Sequence, residues 1–386
     1  MYPKEAITRA FRSEYGDEQG DLYYFFSPGR VNLIGEHIDY NGGLVLPGTL
    51  SLGISGCMRS RNDHKIRLRS SNEPGEALID LHAEIRHHPD LKWVNYPLGV
   101  IKYLLATGAT LAGCDILLAS DLPDGAGLSS SAAIEVLIAY MLLYPLRGDD
   151  VDRVAIAQLC QKVENEFVGV NCGIMDQFAV ALGKADCAML LDTDTLSYEY
   201  VPFRLEGHKL LILNTRKKRE LSESNYNERR QECETALTII QHHKPIKTLV
   251  EAELTDIECI PDPVLRKRAR HVITEQQRVL RSVVALRGSD LSEFGMLLNA
   301  SHHSLKEDYE VTGFELDTIV EEALQVAGCL GARMTGAGFG GCAIALVEND
   351  ALDAFTRHVE CAYGRKTNRQ PAIYISVMSD GVRLLV

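Results

Sequence analysis

The 386-residue sequence is short of several things at once, and each shortage closes off a class of function. Its ten cysteines include no Cys-x-x-Cys pair and no cluster with histidine at metal-ligand spacing. That excludes a zinc module and a disulfide framework, and it predicts the reduced, mostly buried thiols of a cytoplasmic protein. Positive charge is in deficit: 40 Lys and Arg against 53 Asp and Glu leave a net charge of −13, the wrong sign for nucleic acid or an anionic membrane as partner. The first residues, Met1-Tyr2-Pro3-Lys4-Glu5, are polar where a secretory leader is apolar, and no apolar run is expected to reach membrane-spanning length. Two common phosphate signatures are missing as well. A Walker A loop needs G-x-x-x-x-G-K-[ST], and the nearest string, Gly364-Arg365-Lys366-Thr367, lacks the spacing. The dinucleotide fingerprint G-x-G-x-x-G fails because Gly125 and Gly127 are followed by Ser130 where the third glycine belongs.

What is present is a different phosphate loop. Residues 123–133 read P-D-G-A-G-L-S-S-S-A-A and run straight into an apolar helical stretch, Ile134 to Tyr144. Gly125 and Gly127 let backbone approach a ligand closely, and the new helix turns free N–H groups and its positive dipole end toward it. Ser129, Ser130 and Ser131 add hydroxyls able to bond phosphate or a metal. A serine turn before a helix also suits a simple N-cap, but three serines behind two spaced glycines exceed what a cap requires. The loop carries no lysine, so phosphate charge must be met by backbone amides, a metal ion and residues from elsewhere.

Helix and strand patterns alternate along the chain without repeats or low-complexity tracts, and 46% hydrophobic residues suffice for more than one core. Strands are predicted at 22–26, 65–69, 115–119, 188–191, 210–213, 342–347 and 372–377. Helices are predicted at 93–105, 151–167, 175–182, from about 226, and at 263–286, 291–301, 316–328 and 351–362. Mixed in this way, they indicate α+β layers. The pattern restarts after a boundary near residue 200, giving units 1–200 and 201–386.

Three further segments carry chemistry. In Ser27–Gly43, Glu36, His37 and Asp39 lie together on a loop, and short polar side chains so grouped suit a hydroxyl-rich ligand. The same string alone would suit a solvated turn. Arg30 and Asn32, set among Val31, Leu33 and Ile34, argue otherwise, because a buried arginine needs a fixed anionic partner. In Glu164–Phe178, Asp176 stands at the start of a helical pattern, where the helix dipole favours a carboxylate. Glu164, on the preceding helix, is a candidate metal ligand with Ser131, since Mg²⁺ takes one or two protein oxygens and fills the rest with phosphates and water. In Arg333–Cys342, four glycines in six residues can form a backbone-lined wall or a flexible strand connection.

Taken together, these segments resemble the GHMP small-molecule kinases, with their P-x-G-x-G-L-S-S-S-A loop and late G-x-G-x-G-G loop. Within that superfamily they resemble the galactokinase family, through G-R-V-N-L-I-G-E-H-x-D-Y-N at 29–41, C-G-I-M-D-Q at 172–177, Y-N-E-R-R-Q-E-C at 226–233 and S-H-H-S-L-K-E-D-Y-E-V-T at 301–312. The resemblance implies an N-terminal ribosomal-protein-S5-like domain and a C-terminal ferredoxin-like α/β sandwich with the active site in the cleft between them. It implies ATP-dependent phosphorylation of the anomeric hydroxyl of galactose, with Mg²⁺. Asp176 matches the catalytic aspartate and Arg30 the arginine beside it. Glu36, His37, Ile38, Asp39, Gly173 and Tyr226 match the sugar site. Gly125, Ala126, Gly127, Leu128, Ser129, Ser130 and Ser131 match the phosphate loop, Ser131 and Glu164 the metal ligands, and Ser70 and Trp93 the lining of the base.

Ile38 replaces a more usual threonine and Asn225 a frequent glutamate; the first is expected to alter packing beneath the loop. Galactose and ATP are the expected partners, and a monomer or weak homodimer the expected state. The alternatives are a related kinase for N-acetylgalactosamine or arabinose, or a non-catalytic galactose sensor. A mevalonate-type enzyme is disfavoured by the E-H-x-D-Y-N string. The run Arg216-Lys217-Lys218-Arg219 is read as a solvated loop. The pairs His87-His88, His242-His243 and His302-His303 are read as surface residues rather than metal ligands.

Overall fold

Strand β1 (Tyr23–Asn32) organises the molecule, because both faces of its second half are covered and its end delivers Arg30 and Asn32 to the cleft. The computed structural model describes residues 2–17, 20–123, 125–217 and 222–385. Helix α1 (Lys4–Tyr15) precedes β1. After β1 come β2 (Leu44–Val45), β3 (Pro47–Ser60), β4 (Lys65–Ser70), β5 (Glu76–Asp80), α2 (Asn95–Ala106) and β6 (Cys114–Ser120). Next are α3 (Ser130–Arg147), α4 (Arg153–Val163), α5 (Met175–Leu182), β7 (Cys187–Asp192), β8 (Tyr198–Pro202) and β9 (His208–Asn214). The remainder is α6 (Ser222–Gln241), α7 (Pro263–Arg287), α8 (Leu291–Ser304), α9 (Gly313–Leu324), β10 (Cys329–Thr335), β11 (Cys342–Glu348), α10 (Leu352–Thr367), β12 (Ala372–Ser376) and β13 (Arg383–Leu384).

One sheet has the order β13-β1-β3-β6-β4-β5, with β4 parallel to β6 and the other pairs antiparallel. A second, antiparallel sheet runs β10-β11-β9-β12, and a small third one runs β2-β7-β8. The expected division near residue 200 thus falls in β8. The chain after it does not stay in one unit: Ser379 N–H donates to Thr49, Val382 N–H to Val180, and β13 pairs with β1. The closing segment is stitched back onto the first sheet.

Helix α3 packs on β1 and β3 and against α2, α4 and α5. Contrary to the expectation that no apolar run would be long enough, α3 reaches membrane-spanning length and composition, at 18 residues and mean hydropathy 1.2. It is nonetheless a core helix, with Ala132 through Leu142 buried in protein. Burying a side chain of this size stabilises the fold by about 1.5–3 kcal/mol, which is why α3 makes a rigid mount for the loop before it. That loop is gripped by β1. A Cβ on Gly29 would run into Leu122 and the Leu128 carbonyl, so only glycine lets the strand pass close enough for Arg30 N–H to donate to Leu128 at 3.1 Å.

Candidate active site

Asp176 lies in the first turn of α5 and faces Arg30 at the end of β1. The guanidinium donates twice, from Nε to Oδ1 at 2.7 Å and from Nη2 to Oδ2 at 2.6 Å, while Nη1 donates to the Gly127 carbonyl at 2.9 Å. A forked arginine–carboxylate pair is both strong and directional. Arg30 is nearly buried, whereas the Asp176 side chain keeps 28% exposure, so the carboxylate is open on one side only. Ser129 Oγ donates to Asp176 Oδ2 at 2.6 Å. This serine, expected among the phosphate hydroxyls, instead ties the loop to the aspartate. It adopts φ +60° immediately before α3, a conformation that costs a non-glycine residue about 1–2 kcal/mol.

A cavity of about 240 Å³ opens over this pair. Its wall includes Arg30, Glu36, His37, Asp39, Glu164, Gly173, Asp176 and Tyr226, all expected from the sequence, with Asn171, Cys172, Asn227, Gly336 and Ala337 added. Ile38 does not join them. Its side chain is fully buried against Gly43, because the tight turn at 38–43 folds it inward. Gly173 is there for space, since a Cβ would collide with the Asp39 carboxylate.

Glu36 is 2% exposed, and its oxygens accept from Asn32 Nδ2 (3.0 Å), Thr335 Oγ1 (3.1 Å) and Gly336 N–H (2.8 Å), with Arg333 Nη2 at 3.4 Å. Arg333 and Thr335 belong to β10, although the motif reading had placed them in a loop. From behind, α7 supplies His271 to the Glu36 carbonyl (3.0 Å), Glu275 Oε1 to Gly35 N–H (2.9 Å) and Gln276 Oε1 to Leu44 N–H (2.8 Å). The sugar motif of the first half is therefore held in shape by side chains of the second. His271, Glu275 and Gln276 carry no local signal; only a long-range pairing pattern could have pointed to them.

The cavity's carboxylates are crowded. Asp39 is pushed up to about 7 by burial, then by Asp176 and Glu36. Glu164 is pushed up to about 7 by burial and then by Asp176, against the bonds from Ser131 and Cys172. Gln177 Nε2 donates to Glu164 at 2.5 Å. His37 goes the other way, down to about 3, because burial disfavours the cation and His271 adds to the effect. Burial thus favours the neutral imidazole over the cation.

The rest of the phosphate loop faces a second cavity of about 270 Å³, lined by Ser70, Trp93, Tyr96, Gly125, Ser130, Ser131 and Ile134 among others. Trp93 is held by its Nε1 donating to Pro74 at 3.2 Å, and Ser70 Oγ accepts from Asn72 and Glu73 N–H. Ala126 and Leu128 point into the core and leave the loop's face to backbone. The first intrahelical bond of α3 is made by Ala133 N–H, so the N–H groups of 130–132 are the orphan donors of a helix start. Ser131 and Glu164 meet where the two cavities adjoin. Their all-oxygen donor set, on a buried carboxylate with no cationic side chain bonded to it, fits a hard divalent ion. Among the described residues no cluster of three or more His, Cys, Asp or Glu is arranged to hold a metal ion.

Two other expectations change. His302 is buried, not on the surface, and its Nδ1 accepts from Met334 N–H at 3.3 Å, bracing β10. In the basic run, Lys217 is paired with Glu315 at 2.8 Å, and Lys218 and Arg219 lie outside the described residues.

Family models match along the chain: the galactokinase galactose-binding signature at 9–60, the GHMP kinases N terminal domain at 95–184 and the GHMP kinases C terminal domain at 282–366. The fold and the cleft are those of the GHMP kinases. The chain is 50% identical over 379 residues to a galactokinase of Clostridium tetani (97% of this chain, 96% of that one) and 48% identical over 390 residues to one from Enterococcus faecalis (99% and 100%). The crystal structure of Lactococcus lactis galactokinase complexed with galactose matches with a TM-score of 0.92 at 43% identity, covering 99% of both chains. Within the superfamily, this chain belongs to the galactokinase family. A Methanococcus jannaschii mevalonate kinase, 19% identical with a TM-score of 0.64 (94% of this chain, 100% of that one), shares the fold alone.

Proposed function

We propose that this protein transfers the γ-phosphoryl group of ATP to the anomeric hydroxyl of galactose, giving galactose 1-phosphate and ADP. The observation that carries the reading is that Asp176, forked by Arg30 and bonded by Ser129 of the phosphate loop, forms the floor of a cavity whose other wall is Glu36, His37, Asp39 and Tyr226. One carboxylate thus touches both the loop that binds phosphate and the pocket that suits a hydroxyl-rich ring. Phosphoryl transfer asks chiefly for positioning and electrostatics. Asp176 orients the attacking hydroxyl and receives its proton at Oδ1 or Oδ2, early or late according to how loose the transition state is. Arg30 bridges that carboxylate and the loop carbonyl, and its charge offsets that of the group in flight. Glu36 and Asp39 accept hydroxyl protons, and the Tyr226 ring closes the side of the cavity. Mg²⁺ fits Ser131 and Glu164, where it would neutralise phosphate charge. Ser70 and Trp93 fit the nucleotide base.

We also assign residues 1–200 to a sugar- and phosphate-loop domain and 201–386 to its partner, less the closing segment that returns to β1. All ten cysteines are free, which supports a reducing compartment such as the cytoplasm. The test is coupled ADP release across monosaccharides with and without Mg²⁺. Turnover with galactose that needs the metal is expected. Turnover confined to N-acetylgalactosamine or arabinose, or galactose binding without ADP release, overturns the assignment.

A further inference from the structure

Four hydrogen-bonding groups run in single file behind the sugar cavity. His37 Nε2 lies 3.2 Å from the Ala337 carbonyl and Nδ1 2.9 Å from Tyr40 OH. Tyr40 OH lies 2.8 Å from Tyr309 OH, and that hydroxyl 3.0 Å from Cys233 Sγ. The side chains come from the sugar loop, the turn after α8 and helix α6, with the glycine wall at the end. His37, Tyr309 and Cys233 are buried, and Tyr40 is half-buried. A neutral imidazole carries one N–H, and a carbonyl can only accept. Nε2 must therefore carry the proton, which leaves Nδ1 an acceptor.

The rest of the chain is then ordered. Tyr40 spends its one proton on Nδ1, so it accepts from Tyr309, and Tyr309, having donated, accepts from the Cys233 thiol. Reversing the file would set a bare nitrogen lone pair against the Ala337 oxygen, leaving two buried acceptors face to face. His37 sits at φ +62°, so its ring is placed by these contacts and by the Tyr309 ring 4.9 Å away rather than by backbone preference.

We propose that Tyr40, Tyr309 and Cys233 are positioning residues that hold His37 as its Nε2–H tautomer, so that its one N–H is spent on the Ala337 carbonyl and clamps the glycine wall to the sugar loop at the cavity's edge. Both ring nitrogens are then occupied, and the hydroxyls of a bound sugar are left to the carboxylates that line the cavity. The relay thus sets the shape of the sugar wall rather than adding a donor to it. The proposal rests on the galactose reading for the identity of the sugar, but the tautomer itself does not.

The experiment joins side-chain ¹⁵N NMR of the sugar-free protein to steady-state kinetics. The His37 signals are assigned by their loss in His37→Asn. In the unsubstituted protein, the proton is expected on Nε2. Tyr40→Phe is expected to broaden or split the His37 signals and raise the galactose KM about tenfold, with kcat and the ATP KM within about twofold, the size of one lost hydrogen bond. Tyr309→Phe and Cys233→Ala, further along the file, are expected to have successively smaller effects of the same kind. Cys233→Ser keeps a donor and is expected to restore the KM lost in Cys233→Ala. A His37 proton on Nδ1 overturns the proposal, as do equal KM values for the two Cys233 variants. Should Tyr40→Phe fail to fold, the Tyr309 and Cys233 variants read the same relay. If galactose is not the substrate, the NMR result still stands or falls by itself.

Discussion

On the sugar side of the cleft, Glu36 is bonded through both oxygens, and the loop that carries it is pinned by Arg333, Thr335, His271, Glu275 and Gln276. On the nucleotide side, Gly125 and Ser130 are exposed, and the loop offers mostly backbone N–H groups and hydroxyls. Buried polar groups hold the arrangement that gives them partners, because another leaves further orphans, each costing about 1–3 kcal/mol. An exposed loop at a helix start can adjust to a charged ligand, and it needs only N–H groups and a cation to hold it. The sugar side is thus built from buried, cross-braced side chains, and the nucleotide side from exposed backbone and hydroxyls on a fixed mount. Asp176 joins the two through Arg30 and Ser129.

The sharpest way to break the comparison is to remove the group that belongs to both walls. Asp176→Ala should lower kcat by about 10²–10⁴-fold, the range for losing a positioned acid–base group, while galactose binding, measured by calorimetry, stays detectable. Retained turnover would refute the assigned role of Asp176.

A paired substitution separates the walls. Gly173→Ala puts a methyl onto the Asp39 carboxylate, and the galactose KM should rise about tenfold or more, equivalent to at least about 1.4 kcal/mol, with the ATP KM unchanged. Gly125→Ala meets nothing within 4 Å but must hold φ +63°, at a cost of about 1–2 kcal/mol. It should raise the ATP KM severalfold and leave galactose alone. If both variants shift both constants, the walls are not independent.

The smallest effect is the pH dependence. Folding raises the Asp39 pKa from 3.8 to about 7, so the folded, sugar-free protein holds this proton more tightly than the unfolded chain. Its contribution to stability is complete below about pH 4 and is lost as pH rises through about 7. Galactose hydroxyls donate to the ionised form, so galactose affinity should increase over the same rise and binding should release a proton. Calorimetry in two buffers of different ionisation enthalpy measures that proton. Glu164 titrates in the same range, so the decisive comparison is Asp39→Asn, in which the dependence should flatten.

Much of this architecture was legible because local pattern and tertiary role agreed. Met175–Leu182 is the helix its periodicity predicts, and Ile66 and Leu68 point inward from β4 as their alternation requires. The long strand β3 was missed. Its glycines at 48, 53 and 56 blur the alternation, yet they are there because Met378, Ser27 and Met141 leave no room for a side chain. Ile38, grouped with the sugar motif, packs its side chain beneath the loop, because motif spacing says which residues neighbour a site but not which way each side chain faces. His302 was misread as exposed because a histidine pair looks polar wherever it lies.

By itself, the sequence determined the glycine-serine loop, the family, and the carboxylates and arginine that line the cleft, since these depend on residue type at short spacing. Tertiary structure alone decided that Ser129 bonds Asp176 instead of facing outward, that α7 and β10 hold the sugar motif, and that His37 is wired through two tyrosines to a thiol nearly 200 residues away. Those contacts join groups far apart in the chain. Each is made only when burial removes water as the competing partner, a condition set by the packed whole.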